Sequence, residues 1–211
     1  MSTTLYTAPG AAGLVVHWLL IELEVPHELR LLDFAKKEQK SPEYMKLNPA
    51  GVVPTLVLDG QVLNEAAAIV MHLADTHPAA GLAPALATTE RARYYQWMFF
   101  CANTLQPAFR AWWYPSEPAG EANIEAAKAS ARTRIEAGFE RVDAHLAANG
   151  PYLLGEHISA ADFMFTMLMR WSRGMPKPAT DWPQLAAFAA RMKARPSFHT
   201  LYEREGLTEW A

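Results

Sequence analysis

Val53-Pro54 lies between Asn48-Pro49-Ala50-Gly51 and the turn pair Asp59-Gly60, and Asn64-Glu65-Ala66 follows where an apolar, alanine-rich run begins. An X-Pro bond adopts the cis form at a cost of roughly 0.5–1 kcal/mol, and that form turns the preceding peptide outward. Val53 then offers its own N–H and C=O as a short edge to which an extended, peptide-like ligand can add as a strand would. A helix opening at Glu65 leaves the N–H groups of Ala66 and Ala67 unpaired at its positive end, a carboxylate site, while the Glu65 carboxylate can hold an ammonium. Taken singly, each feature has a plain alternative. Pro54 can be a turn proline before a strand, and Glu65 can complement its own helix dipole for about 0.3–1 kcal/mol.

The elements that place these residues are legible along the chain. Thr4 to Thr7 reads as a strand, Ala8-Pro9-Gly10 breaks it, and the apolar segment Leu14 to Leu23 suits a buried helix. Glu28 to Asp33 supplies a second strand, parallel to the first because a helix makes the crossover. Ser41-Pro42-Glu43 caps a short helix ending near Asn48 to Gly51. Thr55 to Leu58 and Gln61 to Asn64 form an antiparallel hairpin across Asp59-Gly60, and Glu65 to His77 is a helix stopped by Pro78. The order βαβ, α, ββ, α is that of a thioredoxin-like domain over residues 1–77. Residues 78–87 form a linker rich in Pro, Ala and Gly. The remainder, 88–211, reads as all-helical: a helix capped at Thr88/Thr89 running to about Leu105 with Pro107 near its end, a long helix from Glu121 to Asn149, another opened by the box Ser159 to Asp162, and a last helix from Pro183 to about Arg195.

With 211 residues, 51% of them hydrophobic, a sizeable core is assured. A formal charge of -3 gives no reason to expect nucleic acid or an anionic membrane as partner. No run of about 18 apolar residues and no signal-peptide pattern is present, so the expectation is a cytoplasmic protein without a membrane partner. Cys101 is the single cysteine, which removes CxxC redox chemistry and intramolecular disulfides. Its seven His residues show no metal-ligand spacing, so no metal is expected.

Three segments in order, Asn48 to Leu56, Asn64 to Ile69, and Gly155 to Asp162, closely resemble the cytosolic glutathione S-transferase family over nearly the whole chain. Pro9-Gly10-Ala11 and His17 make the bacterial beta class the nearest match. The resemblance implies an α/β thioredoxin-like N-terminal domain plus an all-α C-terminal helical domain, a cis Pro54, a homodimer, and glutathione as co-substrate conjugated to a small hydrophobic electrophile. It also implies that Val53, Pro54, Glu65 and Ala66 hold glutathione, with Ala12, Gly13, Lys36 and Gln106 around it. Lys37 shares the lysine-containing loop, and a solvated charge pair is the alternative there. Arg110, Trp112, Trp113 and Tyr114 fall where the family lines its electrophile pocket; they equally suit an interface or core.

The pattern fails at the catalytic position. Where the beta class has Cys and then Ser, this chain has Ala12 and Gly13, and the usual Ser after Glu65 is Ala66. Gln106 stands where the beta class places a His. Backbone N–H groups at the start of the first helix, or Tyr6 near the end of the first strand, are what remain to activate the thiol; Tyr6 as an aromatic packed on the strand is the alternative. His17 on an apolar helix face reads as a partly buried, satisfied histidine, and Ser159 and Asp162 as a helix cap. A non-catalytic relative that binds hydrophobic ligands or a partner protein is the competing function, and a reductase working through Cys101 is disfavoured by the position of that residue in a helix.

Overall fold

The computed structural model describes residues 2–210. It divides into two compact units, one formed by Met1–Leu82 with Lys193–Ala211 and the other by Ala83–Met192.

The first unit is built on a four-stranded sheet of β1 (Thr3–Thr7), β2 (Glu28–Leu31), β3 (Thr55–Leu58) and β4 (Gln61–Asn64) in the order β2-β1-β3-β4. β1 and β2 run parallel across α1 (Leu14–Glu22), and the other pairs are antiparallel. Register assigns the faces. Leu29, Leu5, Leu56 and Leu63 stand side by side, forming an apolar row against which α1 and α3 (Ala66–Thr76) pack. The adjacent row, Arg30, Tyr6, Thr55 and Asn64, points to the other face, where the Tyr6 ring meets Tyr44 of α2 (Pro42–Leu47) at 5.8 Å. Ser41 caps α2 by accepting from the Tyr44 N–H at 3.2 Å, as its position before Pro42 predicts.

α1 is buried on every side from Leu14 to Leu20 because a helix from the far end of the sequence covers what the sheet does not. The sequence reading stops its helices near Arg195, whereas residues Pro196–Glu205 form a further helix. Pro196 ends the preceding helix and occupies the first turn of the new one, and Gly206, at φ 64, closes it in the left-handed conformation. Arg195 and Ser197 both donate to the Glu22 carboxylate at the end of α1, and Trp18 Nε1 donates to Ser197 Oγ at 2.8 Å.

In the second unit, α4 (Thr89–Phe100) is capped by Thr88, which accepts from the Arg91 N–H at 3.2 Å. The chain does not end its helix at Pro107. Instead it passes through a π-helical turn, Cys101–Leu105, into α5 (Gln106–Trp113), with Pro107 in the first turn of α5. Proline has no N–H for the carbonyl four residues back, and a wider turn accommodates that gap. Short α6 (Ser116–Ala119) leads to α7 (Ile124–Asn149), α8 (Ala160–Trp171) and α9 (Pro183–Lys193). A Cβ on Gly138 of α7 would lie 2.4 Å from Leu105 Cδ2, so a glycine there lets the π turn sit close. Asp162, fully buried, accepts from the N–H groups of Leu153 at 2.9 Å and Ser159 at 2.7 Å and from the Ser159 hydroxyl at 2.8 Å, fixing the entry to α8. Burial pushes its carboxyl up to about 6 against the pull of those hydrogen bonds. The remaining helix, Pro196–Glu205, is α10.

Candidate functional site

The Val53–Pro54 peptide is cis. Val53 is half-buried, and among the described residues no backbone partner engages its N–H or C=O. The loop behind it is held from several directions. Tyr44 Oη donates to the Val52 carbonyl at 2.6 Å and meets Thr55 Oγ1 at 2.8 Å. Asn48 Nδ2 donates to the same carbonyl at 2.8 Å and to Thr55 Oγ1 at 3.2 Å. Gly51, at φ 58, is obligatory, since a Cβ would stand 2.9 Å from the Gln39 carbonyl. Lys40 Nζ donates to the Ala50 carbonyl at 2.9 Å.

The hairpin returns the chain to Glu65, which precedes α3 with φ 70 and ψ 107. A non-glycine residue in this region costs of order 1–3 kcal/mol, and such strain gathers at ligand sites. The Glu65 side chain is exposed and makes no capping bond to its own helix. Ala66 is buried with a methyl where a hydroxyl would add a donor.

The loop joining β1 to α1 brings the third element. Ala11 N donates to Ala8 O and Leu14 N to Ala11 O, both at 3.0 Å, while among the described residues the N–H groups of Ala12 and Gly13 have no backbone partner. Ala12 is half-exposed and Gly13 buried. A Cβ on Gly13 would lie 2.0 Å from Thr7 Oγ1 and 3.3 Å from Pro54 Cβ, which places this loop against the cis-proline edge. Tyr6 is half-buried against Tyr44 on the opposite face of β1 from Thr7. From α10, the Glu205 carboxylate, wholly inaccessible, accepts from the Gly10 N–H at 2.8 Å and meets His17 Nδ1 at 2.8 Å. His17 is thus fully rather than partly buried, and only one ring nitrogen is satisfied; Nε2 has no partner. This clamp, and the Tyr44–Asn48–Thr55 set, are the parts sequence reasoning missed. For the clamp the sole signal was a second cap pattern, Pro196 to Gly206, that would have located α10.

Lys36 pairs with Asp33 at 3.2 Å on the surface, and that partner holds the Asp33 carboxyl below its usual range. Lys37 is exposed and left-handed at φ 56. The other sequence candidates, Gln106, Arg110, Trp113 and Tyr114, belong to the second unit. Gln106 opens α5. Arg110 makes a two-pronged bond to Glu117 at 2.7 and 2.5 Å and lies 4.1 Å over the Tyr114 ring. Trp113 and Tyr114 are about half exposed, and Trp112 lies beneath Lys128 Nζ at 5.2 Å. Cys101 is fully buried, and that burial pushes its thiol far up, which makes it an inert packing residue. Among the described residues no three His, Cys, Asp or Glu side chains gather as a metal set, and no helix is long and apolar enough to cross a membrane.

The arrangement matches known proteins along its length. The profile for the glutathione S-transferase N-terminal domain matches residues 1–75, and that for the glutathione S-transferase C-terminal domain matches 103–203. A glutathione S-transferase, GST-4.5, of Xanthomonas campestris pv. campestris is 35% identical over 204 residues, covering 96% of this chain and 98% of that protein. A glutathione transferase homologue from Sulfitobacter, solved with bound glutathione, superposes with a TM-score of 0.90 at 30% identity over 98% of this chain and 99% of its own. The bacterial beta class enzyme of Sphingomonas chungbukensis gives a TM-score of 0.84 at 28% identity, over 97% and 100% of the two chains. A thioredoxin-like unit with a cis-proline edge and a strained residue before α3, together with matches over both parts of the chain, establishes that this protein belongs to the glutathione S-transferase family.

Proposed function

We propose that the protein is a glutathione transferase that joins glutathione to small hydrophobic electrophiles. The observation that carries this reading is Glu65, an exposed acid held at φ 70 immediately before the open end of α3. The γ-glutamyl end of glutathione carries one carboxylate and one ammonium, which suit the α3 N–H groups and the Glu65 carboxylate respectively. The tripeptide backbone then pairs with Val53, and its thiol reaches the loop at Ala12 and Gly13. A free thiol of this kind titrates at about 8.5, so a sulfur accepting hydrogen bonds from these amides at the start of α1 ionises closer to neutrality. The thiolate attacks the electrophilic carbon; a carbon–sulfur bond forms, the leaving group departs with its electron pair, and the thiol proton passes to water. Tyr6, on the face of β1 opposite the Thr7 contact with Gly13, is directed toward Tyr44 instead, so the amides are offered for this task, Lys36 and Gln106 for orienting the ligand, and Arg110, Trp113 and Tyr114 for receiving the apolar partner. The working form is a cytoplasmic homodimer. Ala66 removes one hydroxyl contact, which weakens glutathione binding by up to about tenfold relative to a serine.

Conjugation to a reactive aryl halide tests the reading. Glu65→Ala is expected to lower kcat/KM for glutathione by about tenfold or more; rates equal to the parent's refute the assignment. A binding-only role is the second reading, favoured by the absence of any side-chain donor at Ala12 and Gly13. Tight glutathione binding without turnover of a panel of electrophiles selects it.

A further inference from the structure

We infer that Thr55 is a positioning residue that fixes the two ends of the tripeptide site relative to each other. This rests on the reading of Val53 and Glu65 as the groups that hold glutathione. Thr55 has no exposed surface, so it cannot touch a ligand. It stands in the cross-strand row between Tyr6 and Asn64, with Asn64 immediately before Glu65.

Its hydroxyl joins two sets of contacts. On one side Thr55 Oγ1 meets Tyr44 Oη at 2.8 Å and accepts from Asn48 Nδ2 at 3.2 Å, and both of those groups also donate to the Val52 carbonyl, at 2.6 and 2.8 Å. That carbonyl belongs to the same planar peptide as the Val53 N–H, so fixing the oxygen aims the N–H the opposite way. Donors on the oxygen also polarise the peptide and strengthen its N–H toward an acceptor. The Asn48 amide is itself oriented by the Ala50 N–H, which donates to Oδ1 at 3.2 Å. On the other side Thr55 Oγ1 donates to Asn64 Oδ1 at 2.9 Å, holding the residue from which the left-handed Glu65 departs. Tyr44 and Thr55 have one hydroxyl proton each for these three oxygen–oxygen contacts, so the set acts as one unit. A movement at the Val53 edge is thereby felt at the Glu65 turn.

Glutathione titrations by calorimetry on the full-length protein, with steady-state conjugation kinetics, test this. Thr55→Val keeps the shape and removes the hydroxyl; the expected result is a glutathione Kd raised about three- to tenfold. The KM for glutathione rises in parallel while kcat changes by less than about twofold, because the thiol loop is untouched. Thr55→Ser restores the parent value. The double variant Thr55→Val with Glu65→Ala is expected to lose less than the product of the two single fold-losses. A Thr55→Val protein that binds glutathione as the parent does, while Glu65→Ala weakens it, overturns the role of Thr55 and leaves the site assignment standing. Glu65→Ala without effect overturns the assignment itself. Losses that multiply fully overturn the coupling. Should Thr55→Val fail to fold, Asn64→Ala leaves the Tyr44–Val52 bond in place and cuts the other arm; a raised Kd supports the inference and an unchanged one overturns it.

Discussion

Removing Glu205 unfastens the loop between β1 and α1 from the far end of the chain. Its side chain has no accessible surface and accepts from two donors, the half-buried Gly10 N–H at 2.8 Å and the buried His17 Nδ1 at 2.8 Å. Glu205→Ala leaves the buried His17 donor without this acceptor, at about 1–3 kcal/mol, and removes the charge-assisted bond to the half-buried Gly10 N–H, at about 1.5–3 kcal/mol, so the loss is about 2.5–6 kcal/mol. For a chain of this size each kcal/mol lowers the melting temperature by about 2–4 °C, and a mid-range loss lowers it by about 8–16 °C. Glu205→Gln keeps a carbonyl for Gly10 but turns an amide N–H toward His17 Nδ1. His17 then carries its proton on Nε2, which has no partner, and the expected loss is about half as large. Urea unfolding and amide exchange at Gly10, Ala12 and Gly13 are the measurements. Both variants within about 0.5 kcal/mol of the parent, with unchanged exchange, refute the clamp. The loop is then held by its own turns, Ala11 N to Ala8 O and Leu14 N to Ala11 O.

Asp162 sets burial against hydrogen bonding. Because its pKa is raised from 3.8 to about 6 in the folded protein, the native state binds the proton more tightly than the unfolded chain. Its contribution is therefore most favourable below about pH 4 and declines by about 3 kcal/mol as pH rises to about 6. The stability of the parent minus that of Asp162→Asn, followed by urea unfolding from pH 4 to 7, is expected to fall across this window; a flat or rising difference shows that the three donors outweigh burial. Gly13→Ala is expected to lose about 1–3 kcal/mol from overpacking, since its Cβ would meet Thr7 Oγ1 at 2.0 Å. Thermal unfolding of the double variant with Thr7→Gly checks the cause, because the loss shrinks when that contact is gone.

What the sequence made readable was local. Pro42 behind Ser41, the Asp59-Gly60 turn and the box at Ser159 each carry their signal within a few residues, and each folds as those signals direct, whereas the cis bond at Pro54 was implied by the family resemblance and not by its neighbours alone. Contacts set by register or by distant chain were not readable. Thr55 reads as an ordinary strand residue until β1 and β4 place Tyr6 and Asn64 beside it. Glu205 and His17 lie 188 residues apart, and nothing in either neighbourhood announces the other. The π turn at Cys101–Leu105 was hidden for a different reason. Proline is a stop signal in a helical pattern, and the alternative of widening the ladder depends on packing that admits it, here a glycine at position 138.

The placement of α10 has a consequence for synthesis. The unit that contains the cis-proline edge is assembled from two stretches, Met1–Leu82 and Lys193–Ala211, whereas Ala83–Met192 is continuous. As the polypeptide leaves the ribosome, the continuous unit has all of its residues while the first still lacks the helix that covers α1. Leu14 to Leu20 must wait for it. Domains commonly fold in the order in which they are made. In this chain the N-terminal unit is begun first and completed last, and during translation its main helix exposes an apolar face for as long as the intervening residues take to emerge.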